Sequence, residues 1–138
     1  MIRTFSLLVL AALLQSPPPT VRTVVKGAMS GVEARREVVI RSAADWAALW
    51  KEHGVRDPLP AVDFSREMLV GVFLGVRNTT GYGVEIVRAV GNGGVMTVQY
   101  VEASPGRDAI TAQVLTAPYH LAAMPKHDGE VRFQKVEK

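Results

Sequence analysis

The chain of 138 residues contains no cysteine. That excludes disulfides, thiolate metal sites, cysteine nucleophiles and a lipid anchor on an N-terminal cysteine. Histidine is scarce: the three residues His53, His120 and His127 stand far apart, with no His-x-x-x-His pair to seed a metal site. Neither Gly-x-Ser-x-Gly nor the phosphate-cradling Gly-x-x-x-x-Gly-Lys-Ser/Thr loop occurs. Charge of one sign is also lacking, since 16 Lys and Arg face 13 Asp and Glu for a net +3. The basic residues are scattered except for Arg35-Arg36, so no basic stripe interleaved with aromatics marks a nucleic-acid partner. The composition reads as a non-enzymatic protein with no cofactor, no metal and no nucleic-acid partner.

No apolar run is long enough to span a bilayer. The longest, residues 5–14, is interrupted only by Ser6 and has about half the length a membrane helix needs. It follows Arg3 and has the length of a signal-peptide core. Residues 1–16 are therefore expected to be a signal peptide and 17–19 (Pro17-Pro18-Pro19) a stiff extended leader. Residues 20–138 form one domain of ordinary size. The expected location is secreted, periplasmic or cell-envelope, with membrane contact only through the signal segment.

The domain itself is rich in turn punctuation. Residues 20–26 carry β-branched side chains at five positions and read as a first strand; residues 37–41 read as a second. A helix is predicted over 43–53. Ser42 is its N-cap, Asp45 sits in its first turn, Trp46, Leu49, Trp50 and His53 share one face, and Gly54 ends it. The tryptophans are expected to pin this helix onto a sheet rather than to form a stacking platform for a small ligand.

Residues 68–76 are almost continuously apolar, as in a central strand covered on both faces. Residues 82–90 alternate until Arg88 breaks the phase, and residues 91–94 (Gly-Asn-Gly-Gly) make a hairpin turn into a strand over 95–102. Further strands are predicted over 110–115 and 131–136. The fold class is mainly β: a compact antiparallel sheet or sandwich of about seven strands with one packed α-helix.

One segment stands out for recognition. Arg77, Asn78, Thr79, Thr80, Gly81 and Tyr82 lie between two apolar runs, as in a rigid loop tipped by an aromatic. A second candidate is the stretch 117–121. Pro118 is expected to end or bend its strand, so that Tyr119 and His120 project from a stiffened edge. Should the two segments meet, Tyr82, Tyr119 and His120 would form an aromatic-polar patch suited to a peptide.

The same residues carry a resemblance. The order Ala44-Asp45-Trp46-x-x-Leu49-Trp50-x-x-His53, Val62-Asp63-Phe64, Val72-Phe73-Leu74-Gly75-x-Arg77-x-Thr79-x-Gly81-Tyr82-x-Val84-Glu85-Ile86, Pro105-Gly106 and Thr116-x-Pro118-Tyr119-His120-Leu121 resembles the C-terminal domain of the protease complex subunit PrcB family. The resemblance implies a secreted or envelope protein with an accessory role beside a protease, and adds no catalytic residue. A fainter similarity is to the chagasin-type cysteine-protease inhibitors. Their three inhibitory loops are echoed at 77–82, 91–94 and 117–121, without the proline of the first loop and with Ala117 in place of the arginine of the third. The expected partner is thus a protein, either a protease or an envelope component.

Overall fold

The computed structural model describes residues 18–138; the expected signal segment, its cleavage point and Pro17 lie outside the described residues. Among the described residues, seven strands and one helix follow in the order β1 Arg22–Gly27, β2 Arg36–Ile40, α1 Ala43–His53, β3 Glu67–Phe73, β4 Gly83–Asn92, β5 Val95–Ala103, β6 Tyr119–Pro125 and β7 Val131–Lys135. They form a four-stranded antiparallel sheet in the order β1-β6-β3-β2 and a three-stranded sheet in the order β4-β5-β7. The β5–β7 pairing is parallel, which makes the second sheet mixed.

The helix starts where the Ser42 hydroxyl accepts the Asp45 N–H at 3.2 Å. It ends at Gly54, whose left-handed backbone (φ 75°) returns its N–H to the Trp50 carbonyl. Its apolar face lies on the four-stranded sheet, where Trp46, Leu49 and Trp50 pack with Leu69, Phe73, Tyr119, Leu121 and Ala123. Both indole N–H groups are satisfied inside the fold, Trp46 by the Pro60 carbonyl and Trp50 by that of Asp57. The tryptophans are therefore packing elements that also hold down the loop after the helix.

Alternation in β3 and β6 separates the two cores. Leu69 and Phe73 face the helix, whereas Met68, Val70, Val72, Ala122 and Met124 face the second sheet and meet Val84, Ile86, Ala89, Val98 and Tyr100. The layers are helix, four-stranded sheet, three-stranded sheet. Gly71 lies mid-strand because a Cβ there would run into the Leu121 side chain and come within 2.9 Å of Val38.

The broken phase at Arg88 has a structural cause. The β4–β5 register shifts between Ile86 and Arg88, so Val87 is an extra, outward residue and Ala89 returns to the core. Two strand expectations are corrected. Residues 110–115 form no strand, although their composition suits one, and β6 is a buried inner strand where a stiffened edge was expected. Pro118 precedes β6 and Pro125 ends it, so proline brackets this strand instead of cutting it short.

Replacing Trp46 with alanine should lower stability by about 3–5 kcal/mol, because it leaves a large cavity and frees the Pro60 carbonyl. Gly71→Ala should cost about 1–3 kcal/mol by overpacking. Urea unfolding followed by circular dichroism measures both.

Candidate functional site

Loop 77–82 pairs with residues 112–116, which lead into the second candidate segment, 117–121. On leaving β3 the chain is anchored step by step: Leu74 N–H donates to the Pro118 carbonyl at 2.9 Å and Val76 N–H to that of Glu33 at 2.9 Å. Arg77 and Thr116 then exchange both backbone hydrogen bonds, at 2.7 and 2.8 Å. Farther along, Thr80 N–H donates to the Ala112 carbonyl, and Ala112 N–H donates back to the Thr80 hydroxyl. The Thr116 hydroxyl donates to the Thr79 carbonyl at 2.9 Å. Residues 112–116 thus run antiparallel to 77–80 as a narrow ribbon.

Two glycines permit this crossing. Gly75 (φ 79°) lets the chain lie against Arg35 and Glu33, where a Cβ would come within 2.9 Å of backbone atoms. Gly81 (φ 98°) packs on Pro105. Within the loop, the Arg77 guanidinium lies 5.5 Å from the centre of the Tyr82 ring, and Asn78 faces solvent. Tyr82 is half-buried against the inter-sheet core, so its ring anchors the loop more than it tips it.

The contribution of the second segment is different from that expected. Tyr119 and His120 are 6% and 2% exposed inside β6, and Pro118 is buried too; they form no surface patch. Tyr119 points to the helix side, 4.3 Å from the His53 ring and stacked at 6.0 Å on Phe73. His120 points the other way. Its Nδ1 accepts the backbone N–H of Ile86 at 2.8 Å, and its Nε2 lies 2.9 Å from the Thr23 hydroxyl. Because Nδ1 is an acceptor, the proton resides on Nε2 and points to Thr23. One imidazole therefore ties β6, β1 and the outer edge of β4 together. Burial, with Lys26 adding to it against the opposing Glu85, lowers its pKa from 6.5 to about 4.

His53 is also buried, and burial lowers its pKa. Its Nδ1 lies 2.8 Å from the Ser30 hydroxyl, and Ser30 Oγ also accepts the Val32 N–H. A hydroxyl beside an imidazole is the start of a nucleophile–base pair, yet the neighbouring backbone donors are engaged. Ser30 N–H goes to the Ala117 carbonyl and Gly31 N–H to that of His53. His53 Nε2 is buried without a partner among the described residues, so nothing there orients the ring from its far side. The pair stitches the helix end to residues 28–32. Among the described residues, no three His, Cys, Asp or Glu side chains gather as a metal site.

What the crossing exposes was not legible in the sequence. Met29, Ser30, Gly31, Glu33, Val76 and Leu115, with Thr116 and Ala117 at its floor, line a groove of about 170 Å³. Met29, Val76 and Leu115 are 63%, 42% and 66% exposed, a cluster of large apolar side chains beside Arg77 and Asn78. The inhibitor-like arrangement, in contrast, is not formed. The 91–94 turn lies at the far end of the ten-residue strand β4 from loop 77–82, and the third loop is the start of β6. At ~3.3 Å per residue, β4 separates the first two by about 30 Å.

Fold and site define a three-layer, mainly β domain whose accessible feature is a rigid crossing of two segments beside an apolar groove. Residues 68–125 match the family model described as PrcB C-terminal, which bears out over that stretch the resemblance read from the sequence. The match runs from β3 through β6 and so includes the whole crossing of 74–82 with 112–118. No curated protein and no solved structure matches the chain.

His120 sets a pH dependence. Its folded pKa is below the unfolded value, so its neutral form contributes full stability above pH 6.5, and this contribution is lost as pH falls toward 4. Over that window the loss is about 3 kcal/mol, with His53 acting in the same sense. His120→Leu should flatten the profile and cost about 1–3 kcal/mol at neutral pH by leaving the Ile86 N–H unpaired. Urea unfolding at a series of pH values between 4 and 7.5 measures both effects.

Proposed function

We propose that this chain is an extracytoplasmic, non-enzymatic accessory domain that binds a protein partner, a protease or another envelope component, at the crossing of 74–82 and 112–118. The observation that carries the reading is the cluster of Met29, Val76 and Leu115, exposed around a groove whose walls are fixed by reciprocal backbone hydrogen bonds. Exposed apolar side chains on rigid backbone favour association, because little side-chain or loop freedom is lost on binding. Arg77 and Asn78 supply polar contacts at the rim, as interfaces with an apolar centre require. The PrcB C-terminal match supports the accessory role, and the apolar run at 5–14 supports export.

The test is quantitative capture from an envelope extract on immobilised domain, comparing wild type with Val76→Asp/Leu115→Asp and with Gln134→Asp on the opposite sheet. A protein retained by wild type and Gln134→Asp, and reduced at least tenfold by the double variant, is the expected outcome. Equal retention by all three folded baits would refute this surface.

A further inference from the structure

Among the described residues, the strand-like sequence at 110–115 has no second backbone neighbour, and its chemistry differs from that of every sheet edge there. Each edge strand carries charge: Arg22 and Lys26 on β1, Arg36 and Glu37 on β2, Glu85 and Arg88 on β4, Arg132 and Lys135 on β7. Charged side chains on an edge discourage pairing with another chain. Residues 109–118, Ala-Ile-Thr-Ala-Gln-Val-Leu-Thr-Ala-Pro, contain no charged residue at all. Ile110 is fully exposed, and Val114 and Leu115 are 50% and 66% exposed.

The backbone has a free side. Ala112 and Thr116 direct their N–H and C=O groups to 77–80. In an extended chain, successive residues direct these groups to opposite sides, so Thr111, Gln113 and Leu115 direct theirs away from the ribbon. None of these three has a backbone partner among the described residues. This is an unguarded, uncharged edge with apolar side chains, lying outside both sheets.

We propose that this edge pairs with the same edge of a second copy, giving an antiparallel two-fold contact centred on Gln113. The sequence is complementary to itself in that register. Thr111 lies opposite Leu115 of the second copy and Gln113 opposite its own equivalent, so the outward backbone groups of all three meet in hydrogen-bonded pairs. The two Gln113 side chains sit side by side across the axis, where amides bond to each other and no like charges oppose. A two-fold contact uses the same patch on both copies and closes without leading to a filament. The contact uses the outer backbone edge of the segment whose crossing with 74–82 is proposed above to bind a partner, so residues 112–115 take part in both.

Sedimentation velocity over a wide concentration range tests it, with wild type, Gln113→Lys and Gln113→Glu. Wild type should shift from monomer to dimer as concentration rises. Each charged variant should self-associate at least several-fold more weakly, because it sets like charges across the axis, and an equimolar mixture of the two should recover association. Unchanged urea midpoints show that the variants fold, since Gln113 is exposed and makes no hydrogen bond within the ribbon. A wild type that stays monomeric throughout, or charged variants that dimerise as well as wild type, would overturn the proposal.

Discussion

The structure depends on the pairing of β3 with β6. These two strands occupy the centre of the four-stranded sheet, with the helix on one face and the second sheet on the other, so nearly every side chain they carry is buried. A strand covered on both faces tolerates no unpaired polar group, and its register cannot slip without moving both cores. The seven-residue ladder from Glu67–Pro125 to Phe73–Tyr119 meets that demand along the whole of β3. Gly71 and Leu121 then interlock at its middle.

His120 is the one buried ionisable side chain outside Tyr119 in that central pair, and its placement follows from the same constraint. The outer edge of β4 faces β6 across the inter-sheet layer and presents the buried N–H of Ile86 to it. Imidazole supplies the acceptor from β6 and a donor toward Thr23 with its other nitrogen. The ring is thereby kept neutral, and what looks from the sequence like a candidate contact residue acts as an internal strut. His53 plays a related part on the helix side, where its ring lies against Tyr119 and its Nδ1 meets Ser30. Through Ser30, whose N–H donates to the Ala117 carbonyl, the His53 contact reaches the crossing as well.

At the other end of the same strands, the core's rigidity is passed to the surface. Leu74 and Pro118 continue the β3–β6 alignment by a further hydrogen bond, and Arg77 with Thr116 extends it again. The groove beside Val76 and Leu115 is thus a prolongation of the central pair beyond the point where layers cover it. There the apolar character needed inside the sandwich persists without a cover. Arg35 braces this region from the opposite direction, bonding the Tyr100 hydroxyl at 3.0 Å and pairing with Glu102 at 2.6 Å.

Local chemistry made several parts of this protein readable from the chain. Ser42, Asp45 and Gly54 delimit the helix because capping and a left-handed terminus are properties of single residues. Gly93-Gly94 closes its hairpin for the same reason, with positive φ at both positions. The continuous apolar run of β3 announced an inner strand, and the loop 77–82 was placed where the turn residues put it. Two other segments exchanged roles. Residues 110–115 have β-branched residues but no layer to bury them, whereas Tyr119-His120-Leu121-Ala122-Ala123-Met124 lacks β-branched side chains and is central all the same. Strand propensity measures fit to a pleated, half-buried surface, and which segment receives such a surface is decided by long-range packing. Composition, caps and turns were thus settled by the sequence itself, while the centre of the sheet and the exposed apolar groove came only from tertiary structure, because burial belongs to the assembled layers and to no residue alone.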